Sequence, residues 1–299
     1  MNQHGKQQLP FRYFFIVGQA RSGTNWTCNL LNLHPAINCH GEYHFERLFD
    51  GVQQFTAGPH GLGYRDESLR RRTHEWFQDF VRASLDAQVG LKPNATWMGD
   101  RTPRPLIPLL PDCPHLLVIR DVRDLIVSRV HHVYRNGGPR HEPFKTRLQP
   151  EIEAFCADPD YFKKAPEKLS ADREWIANLA SNWARRMRFD LDAAAEAKAG
   201  NAPLPMTVLS VRYEDLHADT DGQRRRMYEL LDLDPALAAP LGSETKTSAG
   251  FAKENPHDLY RKGQVGDWTN YATDPFRTII KEHAGDMLIE LGYEQDHSW

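Results

Sequence analysis

The segment Phe14-Phe15-Ile16-Val17-Gly18-Gln19-Ala20-Arg21-Ser22-Gly23-Thr24 constrains this chain more than any other. Four consecutive apolar residues, left at a glycine, are the signature of a central strand buried on both faces. Beyond the turn, Trp26, Leu30, Leu31 and Leu33 recur at roughly helical spacing until His34-Pro35 ends the pattern. A strand, a glycine-containing turn and a helix leave backbone N–H groups aimed outward, with the positive end of the helix dipole behind them. That is an anion site. Ser22, Thr24 and Asn25 add short polar side chains, and Arg21 adds a permanent fork of donors suited to phosphate or sulfate. The loop departs from G-x-x-x-x-G-K-[ST], because no lysine follows Gly23 and the cation precedes it, which argues against ATP or GTP hydrolysis. On local chemistry alone, an ordinary glycine turn capped by Ser22 fits the same residues.

Further strands are expected at residues 36–39, 96–98, 115–119 and 206–211, and helical patterns at 125–134, 173–198, 223–231 and 275–291. Their alternation predicts an α/β fold: a three-layer sandwich with a central, mostly parallel sheet, helices on both faces and a P-loop-like nucleotide site. Residues 51–72 and 136–170 are rich in Gly, Pro and charge, and read as loops or insertions over the carboxyl edge of the sheet.

A net charge of -3 over 299 residues excludes a whole-protein field suited to nucleic acid or an anionic membrane surface, so any basic site must be local. No run of eighteen apolar residues and no signal-like h-region is present, so a soluble, cytoplasmic chain without a membrane span is expected. Cys28, Cys39, Cys113 and Cys156 lack C-x-x-C spacing and read as free thiols. The fourteen histidines show no ligand spacing, and no metal is expected.

Two distant elements give the loop its context. Arg120 stands where the run His115-Leu116-Leu117-Val118-Ile119 stops, at a strand end that lines the ligand crevice of an open α/β sheet. Ser128 comes eight residues later on the next helix, where its hydroxyl can share a phosphate with Arg120. Nearer the end, Arg261-Lys262-Gly263-Gln264-Val265-Gly266-Asp267-Trp268 is a basic loop whose two glycines let the backbone approach a ligand.

With these three motifs in this order, the chain resembles the sulfotransferases that use 3′-phosphoadenosine-5′-phosphosulfate (PAPS), over residues 14–293. The resemblance implies that Arg21, Ser22, Gly23, Thr24 and Asn25 hold the 5′-phosphosulfate and that Trp26 stacks on the adenine. It implies that Arg120, Ser128, Arg261, Lys262 and Gly263 hold the 3′-phosphate. Tyr213 matches a tyrosine near the adenine, although an aromatic core residue at a strand end fits it nearly as well. The implied activity is transfer of a sulfuryl group to a hydroxyl acceptor, or less readily an amine, on a small molecule or glycan.

Gly99-Asp100-Arg101-Thr102-Pro103 resembles the family segment that brings a second cation to the sulfuryl group, a role that falls to Arg101. The small-molecule cytosolic branch has a catalytic histidine where this chain has Pro103. His40-Gly41-Glu42-Tyr43-His44-Phe45 instead resembles a Glu-x-His-Phe stretch of the carbohydrate-sulfating branch, which makes Glu42 the expected general base, with His44 or a purely structural Glu42 as alternatives. Arg21, where many members have lysine, acts by electrostatics rather than as a general acid. His131 and His132 are read as solvated or hydrogen-bonded side chains, one of which has the option of facing the acceptor. The expected organisation is a polar tail over residues 1–10 and one domain over 11–299, with acceptor-side insertions around 43–95 and 136–170. A nucleotide kinase and a non-catalytic nucleotide-binding protein are the competing readings.

Overall fold

A computed structural model describes residues 11–57, 66–107, 110, 112–158, 160–199, 208–242 and 263–299. Five parallel strands form one sheet: β1 (Arg12–Val17), β2 (Ile37–Gly41), β3 (Trp97–Thr102), β4 (His115–Ile119) and β5 (Val208–Arg212), in spatial order β2-β3-β1-β4-β5. Alternation along each strand sorts side chains to two cores. Phe14, Ile16, Leu116 and Val118 face one side, where they pack with Leu30, Leu31, Met227 and Tyr228. Those partners belong to helices α1 (Thr24–Leu31) and α9 (Thr220–Leu230). Tyr13, Phe15, Val17, Leu117 and Ile119 face the other side. There they meet α4 (Val122–Arg135), α7 (Arg173–Lys198) and α10 (Asp274–Glu290), among others. The molecule is thus the expected three-layer α/β sandwich.

Chain connections place the site. From β1 the chain crosses to β2 on one side, and β4 lies on the other side of β1, so the order reverses at the carboxyl end of β1. In open parallel sheets such a reversal point is where a crevice opens for ligands.

Three expectations from the sequence need correction. Residues 51–72, expected as loops or insertions, are helical where described, contributing to α2 (Phe45–Ala57) and to the start of α3 (Glu67–Asp86); residues 58–65 lie outside the described residues. The two helices pack through Phe49 and Phe77, 6.3 Å apart edge to face. Helix α3 is started by the Asp66 carboxylate, which accepts from the Ser68 and Leu69 N–H groups, and is held by buried Phe77, Val81 and Leu85 at four-residue spacing. Its charged opposite face hid that periodicity. Residues 136–170 likewise form α5 (Glu142–Ala157), which tolerates Pro150, and the short α6 (Tyr161–Lys164). Strand β3 runs four residues beyond the expected 96–98, through Gly99-Asp100-Arg101-Thr102. Its polar end reads as loop in sequence. Gly99 is required inside it, since a Cβ there would lie 2.3 Å from the Phe14 ring.

Candidate functional site

The turn after β1 has the strain of a binding loop. Arg21 and Gly23 both take left-handed conformations, with φ of 78° and 108°. At Gly23 a side chain is also sterically barred, because a Cβ would meet the Tyr213 ring at 2.6 Å. A Cβ on Gly18 would lie 2.6 Å from Ser22 Oγ and 2.8 Å from the Thr24 methyl. The loop is pinned at its start by the Gly18 N–H, which donates to the Thr102 carbonyl at 3.2 Å. No side chain caps α1, whose N-cap is Gly23, so the first turn, with Thr24 and Asn25, presents its N–H end outward. Ser22 Oγ is buried and has no hydrogen-bond partner among the described residues.

Arg120 leaves the end of β4 and crosses to this loop. It donates to the Arg21 carbonyl at 2.9 Å and to the Gln264 carbonyl at 3.2 Å, and its guanidinium lies 4.1 Å from the centre of the Tyr213 ring. Its buried Nε has no partner among the described residues. Ser128, from the second turn of α4, accepts from Arg21 Nε at 3.1 Å. Tyr213 opens α8 (Tyr213–Ala218) and meets Trp26 edge to face, with ring centres 5.5 Å apart. Residues separated by nearly two hundred positions therefore converge on one loop. Among the described residues, two of their buried polar atoms, Ser22 Oγ and Arg120 Nε, have no hydrogen-bond partner, and an anion's site suits them.

Glu42 and Arg101 occupy the neighbouring strand ends, after β2 and in β3. Arg101 Nη1 stands 3.5 Å from Glu42 Oε2, and its Nε donates to the Gly41 carbonyl at 3.2 Å. The bulge between Cys39 and Gly41 shifts the register of β2 immediately before Glu42. Behind the pair lies Asp100, fully buried, accepting from the Tyr43 N–H at 3.3 Å. Burial pushes the Asp100 carboxyl up to about 7, against the pull of that N–H and of Arg101. His44 turns away, its Nδ1 paired with Glu46 Oε1 at 2.9 Å. His131 is buried against Phe155, Phe162 and Tyr271 and bonds the Val127 carbonyl at 2.9 Å. His132 lies toward Arg21; burial first, then Arg21, Arg129 and Arg135, hold its imidazole below the ordinary range.

Arg261 and Lys262 lie outside the described residues; Gly263 is described, at φ 60°. The segment beyond Gly263 is anchored by Asp124, a residue that no sequence motif marks. Buried in the first turn of α4, Asp124 accepts from the Gly266 N–H at 2.7 Å and from the Trp268 N–H at 2.9 Å. Its carboxyl is pushed up to about 6 by burial, opposed by Arg120 and by those two donors. An acidic residue in a first helical turn is so common that only the tertiary contact distinguishes it. Among the described residues, no group of three or more His, Cys, Asp or Glu is placed to hold a metal ion, and no helix is long and apolar enough to cross a membrane.

Fold and site together define a parallel α/β domain with an anion-binding loop at the reversal point of its sheet. The Sulfotransferase domain family matches residues 12–290, and the chain belongs to that family. Cytosolic sulfotransferase 3 of Arabidopsis thaliana is 23% identical over 198 residues, covering 60% of this chain and 52% of its own. Cytosolic sulfotransferase 4 of the same plant is 32% identical over 90 residues, covering 29% of this chain and 31% of its own. The chain thus spans about half the length of the curated relatives it matches. Among solved structures, mouse sulfotransferase SULT7A1 complexed with PAP superposes with a TM-score of 0.45 at 15% identity, covering 91% of this chain and 84% of that one. A retinol dehydratase in complex with androsterone and inactive cofactor PAP gives 0.47 at 16%, covering 94% and 82%.

Proposed function

We propose that this protein transfers a sulfuryl group from PAPS to a hydroxyl acceptor. The observation that carries the proposal is the convergence of Arg21, Ser22, Arg120 and Ser128 on the loop after β1, in a chain of the sulfotransferase family. Ser22 Oγ and the first-turn N–H groups of α1 would hold the 5′-phosphosulfate, with Trp26 and Tyr213 flanking the adenine. Arg120 and Ser128, with Arg261, Lys262 and Gly263, would hold the 3′-phosphate that distinguishes this donor from ATP.

In the reaction, the acceptor oxygen forms its bond to sulfur as the bond from sulfur to the 5′-phosphate oxygen breaks, and the 3′,5′-bisphosphate leaves. Charge gathers on the bridging oxygen, where Arg21 stabilises it without giving up its proton. Arg101 would supply a second cation to the sulfuryl group. The acceptor proton passes to Glu42, whose half-exposed carboxylate is oriented by Arg101. The names of the Arabidopsis relatives support a cytoplasmic location for this activity.

The test is transfer of labelled sulfate from PAPS to a panel of alcohols, phenols and amines. Glu42→Gln should lower turnover by roughly 10²- to 10⁴-fold while leaving the affinity for PAP within about twofold of the parent. Transfer of phosphate from ATP instead of sulfate from PAPS would overturn the reading, and full activity of Glu42→Gln would overturn Glu42 as the base.

A further inference from the structure

A pocket of about 480 Å³ opens directly beside the donor loop. One wall is Gln19 and Ala20, the residues before Arg21; another is the turn at Pro103 and Arg104, just after Arg101. The third is a face of α7 bearing Asn182, Arg185, Arg186 and Phe189. That wall is fixed: Gln19 Nε2 donates to the Trp183 carbonyl at 3.3 Å, and Arg186 donates to the Pro103 carbonyl. A molecule seated here touches Gln19 and Ala20 of the donor loop.

Of the three guanidinium groups on these walls, Arg104 is paired with Asp50 and Arg186 with Asp190 at 3.0 Å, with Glu46 also acting on Arg186, and Arg185 is left over. Arg185 is exposed, its only described bond is to the Asn182 side-chain oxygen, and among the described residues no carboxylate pairs with it. Asp190 is itself buried, and burial pushes its carboxyl up to about 7 against the pull of Arg186 and Arg104. Phe189, 44% exposed, gives the same face a flat apolar surface, where a charged group would ordinarily stand on a solvent-facing helix position.

We infer that this pocket binds the acceptor, and that the acceptor is a hydroxyl compound carrying an anionic group held by Arg185 and Arg186, with its apolar body against Phe189. The inference rests on the donor reading above and narrows its substrate class. Guanidinium forks suit carboxylate, sulfonate and phosphate alike, so the shared feature is a planar or tetrahedral oxyanion at one end and a hydroxyl at the other.

The experiment measures binding to PAP-loaded protein by calorimetry, using 3-(4-hydroxyphenyl)propanoate, 4-hydroxybenzenesulfonate and the methyl ester of the former. Both anions should bind at least about tenfold more tightly than the ester, as expected for a charge-assisted hydrogen bond to an ion. Preference for one anion over the other identifies the oxyanion geometry. Arg185→Gln, at an exposed position, should lose about five- to tenfold in affinity for the anions with no change for the ester or for PAP. An ester that binds as well as the acids, no measurable binding of any of the three, or an Arg185→Gln protein with undiminished anion affinity would each overturn the inference. Failure of PAP itself to bind would instead overturn the donor reading.

Discussion

Gly23 and Arg120 carry the most specific consequences at the scale of single residues. Gly23 combines a left-handed φ of 108° with a ring face 2.6 Å from where a Cβ would stand, so Gly23→Ala must displace either the loop or Tyr213. The expected result is a loss of about five- to 150-fold in PAP affinity, since strain of about 1–3 kcal/mol falls on the loop that binds it; fluorescence titration measures it. Arg120 has its Nε unpartnered among the described residues and its guanidinium over Tyr213. Arg120→Ala should weaken PAP by roughly 10- to 100-fold, the value of a hydrogen bond to a charged group, and adenosine 5′-phosphate much less. Equal losses for the two nucleotides would contradict the placing of the 3′-phosphate at Arg120. Arg120 and Gly23 were legible in sequence because strand ends and glycine turns have local signatures. The contact of both with Tyr213 was not, since it joins residues far apart in the chain.

Among the elements, the coupling between α4 and the segment after Gly263 matters most. Asp124 is the joint, accepting from Gly266 and Trp268, while neighbouring Arg123 stacks 4.1 Å from the Trp268 ring and pairs with Asp121 and Glu294. Asp124→Ala removes the acceptor from two part-buried N–H groups, those of Gly266 and Trp268. It should cost on the order of 1–3 kcal/mol for each group left unpaired, read as a lower urea midpoint. Hydrogen exchange at Gly266 and Trp268 should accelerate while the amides of β1 and β4 keep their protection; uniform acceleration would mean that the joint is not local. Helix α7 was readable over its whole length because its apolar period is sustained. Helices α2, α3 and α5 were not, because Gly51, Pro150 and runs such as Arg70-Arg71-Arg72 dominate their composition while only one face is apolar.

For the whole molecule, the buried titratable groups set how stability varies with pH. Asp100 is fully buried, and its carboxyl is raised from about 4 in the unfolded chain to about 7. Between those values the folded state holds a proton that the unfolded state has lost, so this group's contribution falls as pH rises from about 4 to about 7. His115, buried and pushed down to about 4, works with the opposite sign: the unfolded state binds the extra proton, and stability rises with pH until about 6.5. Asp100→Asn keeps an acceptor for the Tyr43 N–H and removes the first slope. Its stability relative to the parent should therefore rise from about pH 4 to about pH 7, by at most about 1.4 kcal/mol per pH unit, measured by urea unfolding across the range. A pH-independent difference would show that Asp100 is not the raised carboxyl.

The sequence by itself determined the strand, loop and helix of the anion cradle, the parallel α/β class and the resemblance to sulfotransferases, because each rests on short-range pattern: an apolar run, a glycine turn, a helical period. Tertiary structure decided the rest. It placed β3 between β1 and β2, so that Arg101 and Glu42 meet beside the loop, and it carried Asp124 to the segment after Gly263. It also set Arg186 of α7 against Pro103, more than eighty positions away, to make the pocket beside Gln19 and Ala20. Hydrophobic burial on two sheet faces and strand order bring these groups together, and neither leaves a mark in local residue spacing.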